Sequence, residues 1–343
     1  MSDVRDEIAD NLKIMQKFRK ISDDKEVQKN IKITPFSCSN EVMDLVAIDG
    51  SYSFLLNLSS MWLAVLRIGA MHYRYSEDGG YELLDSYTRE KPVMVSTKEE
   101  IMANMGDLES TLFTATRYAS EQHREMVNQI RRLLEEETAL KVAKEYKNVI
   151  IAMDGTLTPL KSTDALQRTI DECKRNNNIL IGISKDSFTH SFKSHKTDEE
   201  VLLSLNSEDR GFTRAPILPS IKKDSLLYGG MLGDVYFAKL HPDSKKWFRI
   251  DVGTYKDDPK KVFSCLSHYS KSQLCIGYIY PLLEAHRYVV TVRHFHSLYE
   301  DMILDLASEY EISLQEAIDG LTHIEGERKG AFHEYLDKVS REV

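Results

Sequence analysis

The chain has 343 residues, 42% of them hydrophobic and 29% charged, with a formal net charge of −9. At about 150 residues per domain that allows two domains or one large one, and the composition excludes disorder, collagen and coiled coil as the main architecture. Cys38, Cys173, Cys265 and Cys275 are scattered without paired spacing, which excludes a disulfide scaffold and a clustered zinc site and points to reduced thiols in the cytoplasm.

Residues 3–20 are predicted helical, with Ile8, Leu12 and Met15 at helical spacing. Asp3, Asp6 and Glu7 and the lack of an apolar core exclude a signal peptide there. Thr34-Pro35 marks a break. Val42 to Ile48 reads as a strand, ended by a tight turn at Asp49-Gly50-Ser51. The most apolar stretch, Phe54 to Met71, is interrupted by Asn57, Ser59, Ser60 and Arg67, so a buried helix is expected rather than a membrane span.

Residues 108–146 carry the longest helical pattern. Met126, Ile130, Leu133, Leu140 and Ala143 share one face with Glu137, whereas Glu135 and Glu136 point elsewhere. A carboxylate on an inward stripe needs a partner, either a buried arginine or a metal ion. Val149 to Met153 is predicted as a strand, Thr163 to Arg175 as a helix, and Ile179 to Ile183 as another buried strand. Residues 190–225 read as loops and short helices. Val235–Leu240 and Trp247–Val252 form an expected antiparallel pair around His241-Pro242-Asp243-Ser244. A helix is expected from Pro259 to Ser272, a strand from Leu274 to Tyr280, and helix again from about Ser297. Helices and strands alternate, with at least one hairpin, so the fold class is α/β with a mixed central sheet.

Charge is unevenly spread. Residues 185–261 hold 14 Lys and Arg against 12 Asp and Glu, with pairs at Lys222-Lys223, Lys245-Lys246 and Lys260-Lys261, while the rest of the chain carries all the net negative charge. Such a segment is either a solvated loop surface or a local grip on a polyanion.

Two strand ends share one design. Ala47-Ile48-Asp49-Gly50-Ser51 and Ala152-Met153-Asp154-Gly155-Thr156 each put an aspartate where a buried strand emerges, followed by a glycine. Two such carboxylates on neighbouring strands repel, and a divalent cation between them relieves that. Oxygen ligands favour Mg²⁺ or Mn²⁺. The plainer reading is a pair of ordinary Asp-Gly turns. Lys185 directly follows a strand and can hold a phosphate, or be a surface lysine. His286, after the aromatic run Tyr278-Ile279-Tyr280-Pro281, can ligate a metal or protonate a leaving group; Tyr278 or Tyr280 can stack on a nucleobase, or be core. His294 and His296 are weaker candidates on a strand-like segment. No P-loop, dinucleotide fingerprint or nucleophile elbow is present.

Val149-Ile150-Ile151-Ala152-Met153-Asp154-Gly155-Thr156-Leu157 resembles the D-x-D-G-T-L loop of haloacid-dehalogenase-type phosphatases, but Ala152 stands where that family has its nucleophile, and without it the phosphoryl-enzyme cannot form. A broader resemblance covers about residues 40–325. I-D-G-S at 48–51, an acidic helix, M-D-G-T-L at 153–157, G-I-S-K-D-S at 182–187, V-Y-F-A-K-L-H-P to W-F-R-I-D-V at 235–252 and Y-I-Y-P-L-L-E-A-H at 278–286 resemble, in this order, the NurA nuclease family.

That resemblance implies an RNase H-like core spanning 36–330, between helical segments at 1–35 and 331–343. It implies a Mn²⁺- or Mg²⁺-dependent DNA nuclease with two ions per site, resecting ends 5′→3′ and cutting single strands, and a cytoplasmic homodimer docked on a HerA-type hexameric ATPase. Carried over, Asp49 and Asp154 match the two metal-binding aspartates, Lys185 the lysine of the S-K motif and His286 the late histidine. A helix glutamate is the third acidic ligand. Glu135, Glu136 and Glu137 are adjacent, and helical face favours Glu137. Tyr278, with Tyr280 as alternative, matches the family tyrosine. Lys222 and Lys223 are expected on DNA phosphates.

Overall fold

The computed structural model describes residues 2–21, 29–39, 41–58, 61–78, 80–96, 122–187, 189–192, 194, 196–205, 208–216, 230–253, 258–310 and 312–322. Helix α1 (Ser2–Ile21) comes first, then strands β1 (Thr34–Pro35), β2 (Leu45–Leu58), β3 (Met61–Ser76) and β4 (Gly80–Ser96). Helix α2 (Gln122–Glu145) leads into β5 (Ile150–Asp154), α3 (Ala165–Arg175) and β6 (Ile179–Ser184). Next come α4 (Asp198–Leu203), β7 (Gly211–Arg214), β8 (Asp234–Lys239) and β9 (Phe248–Val252). Helices α5 (Pro259–Tyr269), α6 (Tyr280–Val290), α7 (His296–Ala307) and α8 (Leu314–Gly320) complete the described part. No helix among the described residues is long and apolar enough to cross a membrane.

The strands join in one nine-stranded sheet, ordered β1-β7-β8-β9-β6-β5-β2-β3-β4. β2, β5 and β6 run parallel, and β3 and β4 extend antiparallel beyond β2. This five-strand order is an RNase H-like core. Beyond β6 the sheet continues antiparallel through β9, β8, β7 and β1.

Successive strand residues point to opposite faces, so the sheet feeds two cores. Val46, Ile48, Ile151 and Met153 pack with α2 and α3 through Ile130, Leu134, Leu166 and Ile170. Leu45, Ala47, Ile150, Ala152, Ile181 and Ile183 pack on the other side, with Phe263 and Leu266 of α5 and Leu282 and Ala285 of α6. Covering on both faces makes these strands continuous apolar runs rather than alternating ones.

Four local expectations are overturned. β2 does not turn at Asp49-Gly50; it runs on to Leu58. The apolar stretch 54–71 is the end of β2 and most of β3, not a helix. Burial on both faces hides the two-residue alternation by which a strand is recognised. Residues 274–279 form turns, and α6 starts at Tyr280 with Pro281 in its first turn. A first turn needs no N–H donor, so proline opens the helix there rather than ending a strand. His294 falls in a short 3₁₀ turn, Thr291–Phe295, and His296 opens α7, so they share no strand face. The expected helical positions 108–121 and the tail 331–343 lie outside the described residues.

Candidate metal centre

The parallel register of β2 and β5 pairs Ile48 with Met153, which brings the following residues, Asp49 and Asp154, alongside each other. Asp49 continues the row of Leu45 and Ala47, and Asp154 that of Ile150 and Ala152, so both sit on the α6 side of the sheet. His286, in the second turn of α6, places Nδ1 2.8 Å from Asp49 Oδ2. Asp49 Oδ1 accepts the Gly50 N–H at 2.7 Å, so a buried carboxylate has both oxygens engaged. Beyond the end of β6, Lys185 reaches Asp154 Oδ2 with its Nζ at 2.9 Å. One ligand atom from each of Asp49, Asp154 and His286 lies within 4.8 Å of the others.

The electrostatics ask for a cation. Burial pushes the Asp154 carboxyl above its usual range, the like charge of Asp49 adds to that, and Lys185 and His286 pull the other way. Tyr278 contributes a buried hydroxyl with no hydrogen-bond partner. Burial, and then the charges of Asp154 and Asp49, push that phenol far above the usual tyrosine range. Two carboxylates, an imidazole and an orphaned hydroxyl are a donor set that fits a hard divalent ion.

Of the three helix glutamates, Glu135 lies within the field of Asp49 and Asp154, outside the three residues whose ligand atoms converge. Its carboxyl is fully buried, raised by desolvation, lowered by Arg131 and Arg132, and raised again by Asp49 and Asp154. It pairs with Arg131 one turn earlier, and Arg131 also approaches the Gly50 carbonyl at 3.4 Å. Gly50 explains how Glu135 gets there. A Cβ at position 50 would stand 2.6 Å from Glu135 Oε1 and 2.5 Å from Ile68, so only glycine lets the helix carboxylate approach this strand. Glu136 is buried beside it, accepts the Leu160 N–H at 3.3 Å and faces Arg132 at 3.5 Å.

Glu137 lies elsewhere. It is half exposed and pairs at 2.8 Å with Arg89 of β4. A single inward stripe was the wrong geometry for α2, which packs against strands β2 to β5 and also against α3. Arg131 and Arg132 were missed, and Glu135 was placed behind Glu137, although Arg131–Glu135 and Arg132–Glu136 are visible in the sequence as pairs four apart on a helix.

The aromatic candidates pack against other rings, Tyr278 buried and Tyr280 partly exposed. Tyr278 packs its ring against Phe248 at 5.3 Å, and Tyr280 stacks on Tyr81 at 4.5 Å. Lys222 and Lys223 lie outside the described residues. Ala152 is buried within β5, as an apolar core residue and not a nucleophile.

No curated protein matches this sequence. Among solved structures, the NurA nuclease from Sulfolobus solfataricus superimposes with a TM-score of 0.52 at 17% identity, over 90% of this chain and 97% of that one. A second NurA structure gives 0.53 at 11% identity, over 91% and 98%. A third, of NurA bound to dAMP and manganese, gives 0.48 at 13%, over 84% and 92%. The model of the NurA domain matches residues 43–291, a span holding Asp49, Glu135, Asp154, Lys185 and His286. With most of its length inside that match and the fold of its structures, this chain belongs to the NurA family.

Proposed function

We propose that the chain is a divalent-metal-dependent DNA nuclease. The observation that carries the reading is the convergence of Asp49, Asp154 and His286, on three separate elements, to within one ion's reach. Asp49, Glu135, Asp154 and His286 would hold the metal. Mn²⁺ or Mg²⁺, two ions per site, would supply Lewis-acid polarisation of the scissile phosphate and a water acidic enough to attack it.

The chain's own residues do the rest. The bond from His286 Nδ1 to Asp49 fixes the imidazole plane and leaves its other nitrogen to ligate or to protonate the leaving oxygen. Lys185 pairs with Asp154 and, beside the residues that would hold the ion, would bind a non-bridging phosphate oxygen. Tyr278 acts through its hydroxyl rather than its ring. Backbone phosphates, not base edges, are the expected contacts, with Lys222 and Lys223 among the donors, so cleavage is expected without sequence preference.

Family membership supports the finer reading: 5′→3′ exonuclease and single-strand endonuclease activity in DNA end resection for double-strand-break repair, by a cytoplasmic homodimer docked on a HerA-type ATPase. The test is cleavage of 5′- and 3′-labelled single- and double-stranded DNA in Mn²⁺, Mg²⁺ or EDTA, with Asp49→Asn alongside. Metal-dependent cleavage lost in Asp49→Asn is expected, and the label pattern reports polarity. Full activity in Asp49→Asn would remove the site assignment. DNA binding without cleavage, with or without the ATPase, would leave a non-catalytic adaptor. Turnover of an aryl phosphate alone would revive the phosphatase.

A further inference from the structure

The F-R-I-D-V run of β9 has no part in the centre just described, yet it buries a full charge pair. Arg249 grips Asp251 through Nε at 2.8 Å and through a terminal nitrogen at 3.0 Å. Asp251 is fully buried. Such a pair is poor support for stability, because apolar residues of similar volume do at least as well. Its third bond shows its use: Asp251 Oδ2 accepts the Leu157 N–H at 3.0 Å. Leu157 lies three residues after Asp154.

Residues 154–157 are held by further contacts of the same kind. Gly155 takes φ +97°, and its N–H meets the Ile183 carbonyl at 2.8 Å. Arg132 of α2 donates to the Thr156 carbonyl and lies 3.4 Å from that of Asp154. Gly182 lies directly beneath, where a Cβ would meet the Gly155 carbonyl at 2.5 Å and the Leu157 nitrogen at 3.1 Å. Val252, Ile250 and Phe248 of β9 join the core on the α6 side, so Arg249 and Asp251 reach the loop from the opposite face to the carboxylates.

We propose that Asp251, through its bond to the Leu157 N–H, and Arg132 form a positioning brace, which fixes the backbone after Asp154 and so sets where its carboxylate meets the metal. This rests on the nuclease reading above. Residues that orient metal ligands from behind typically change metal affinity or activity by about 10- to 100-fold when lost.

The test separates the backbone bond from the charge pair. Arg249→Met with Asp251→Leu removes the pair and the acceptor together, leaving an apolar contact in their place. Arg249→Met with Asp251→Asn removes the pair but keeps an oxygen for the Leu157 N–H. Mn²⁺ affinity is read by titration calorimetry, folding by thermal melts, and kcat and KM on labelled single-stranded DNA. Both double variants are expected to fold. The leucine form should bind Mn²⁺ about tenfold more weakly or worse, with a lower kcat at similar KM, and the asparagine form should recover most of both. Equal Mn²⁺ affinity in the two, whether both tight or both weak, overturns the brace. Should the leucine form not fold, Arg132→Lys, which keeps the charge but not the fork, takes its place, and unchanged Mn²⁺ affinity there overturns the proposal. If the unaltered chain binds no Mn²⁺ and Asp49→Asn behaves identically, the metal centre itself falls, and the brace with it.

Discussion

Two positions along α2 separate Glu135, buried against Arg131 within the field of Asp49 and Asp154, from Glu137, half exposed and paired with Arg89. Their substitutions are expected to part accordingly. Glu135→Gln keeps the shape but removes the charge a cation would meet, so Mn²⁺-dependent cleavage should fall by about 10- to 100-fold. Glu137→Gln breaks only an exposed ion pair, whose contribution to stability is about 0–1 kcal/mol. Its cleavage rate should stay within about threefold of the unaltered chain. Paired rate measurements, with circular dichroism to confirm folding, decide between the two. A severe loss at Glu137 with little change at Glu135 would reverse the assignment. Asp49, Asp154, Lys185 and His286, which the structure places close together, were named from short motifs. The choice among three glutamates was not legible there, because it depends on which neighbours surround α2, and no helical wheel contains those.

The elements show the same division. Strands β5, β6, β8 and β9 and helices α3 and α5 could be read from apolar runs and turn residues, whereas the long β2–β3–β4 hairpins could not. The central residues of β2 and β3 are covered on both sides, β4 is largely exposed along its length, and Asp49-Gly50 carries the residues of a turn. Gly50 is there for the approach of α2, a reason visible only once α2 is packed. Gly182 has a comparable reason and allows a sharp prediction. Its Cβ would collide with the Gly155 carbonyl and the Leu157 nitrogen, both backbone atoms that cannot rotate away. Gly182→Ala must therefore push β6 and the 154–157 loop apart, at a cost of about 1–3 kcal/mol for overpacking. Because that loop carries Asp154, Mn²⁺ affinity should fall together with the thermal midpoint. An alanine variant with unchanged melting and unchanged Mn²⁺ binding would show that the loop does not depend on this contact.

Across the whole molecule, a net charge of −9 is combined with a buried ionic layer between the sheet and α2, containing Arg131, Arg132, Glu135, Glu136 and, from β9, Arg249 and Asp251. Such a layer makes global stability depend on pH, and Glu136 sets the sign most clearly. Burial pushes its carboxyl up to about 7 from 4.5, with Arg132 opposing, and one of its oxygens is left without a partner. A carboxyl raised on folding holds its proton more tightly in the folded state. Its stabilising contribution is therefore complete below about pH 4.5, declines as pH rises, and is gone above about pH 7. The difference between those limits is on the order of 3 kcal/mol. Glu136→Gln removes the titration while an amide oxygen can still accept the Leu160 N–H. Relative to the unaltered chain, the variant should melt at a similar temperature at pH 5 and at a higher one at pH 8, measured without added metal. The comparison between the two pH values matters more than either alone, because any packing defect from the substitution is common to both. A variant destabilised equally at pH 5 and pH 8 would mean that Arg132 keeps Glu136 ionised throughout. The layer would then be a fixed set of ion pairs rather than a store of one proton.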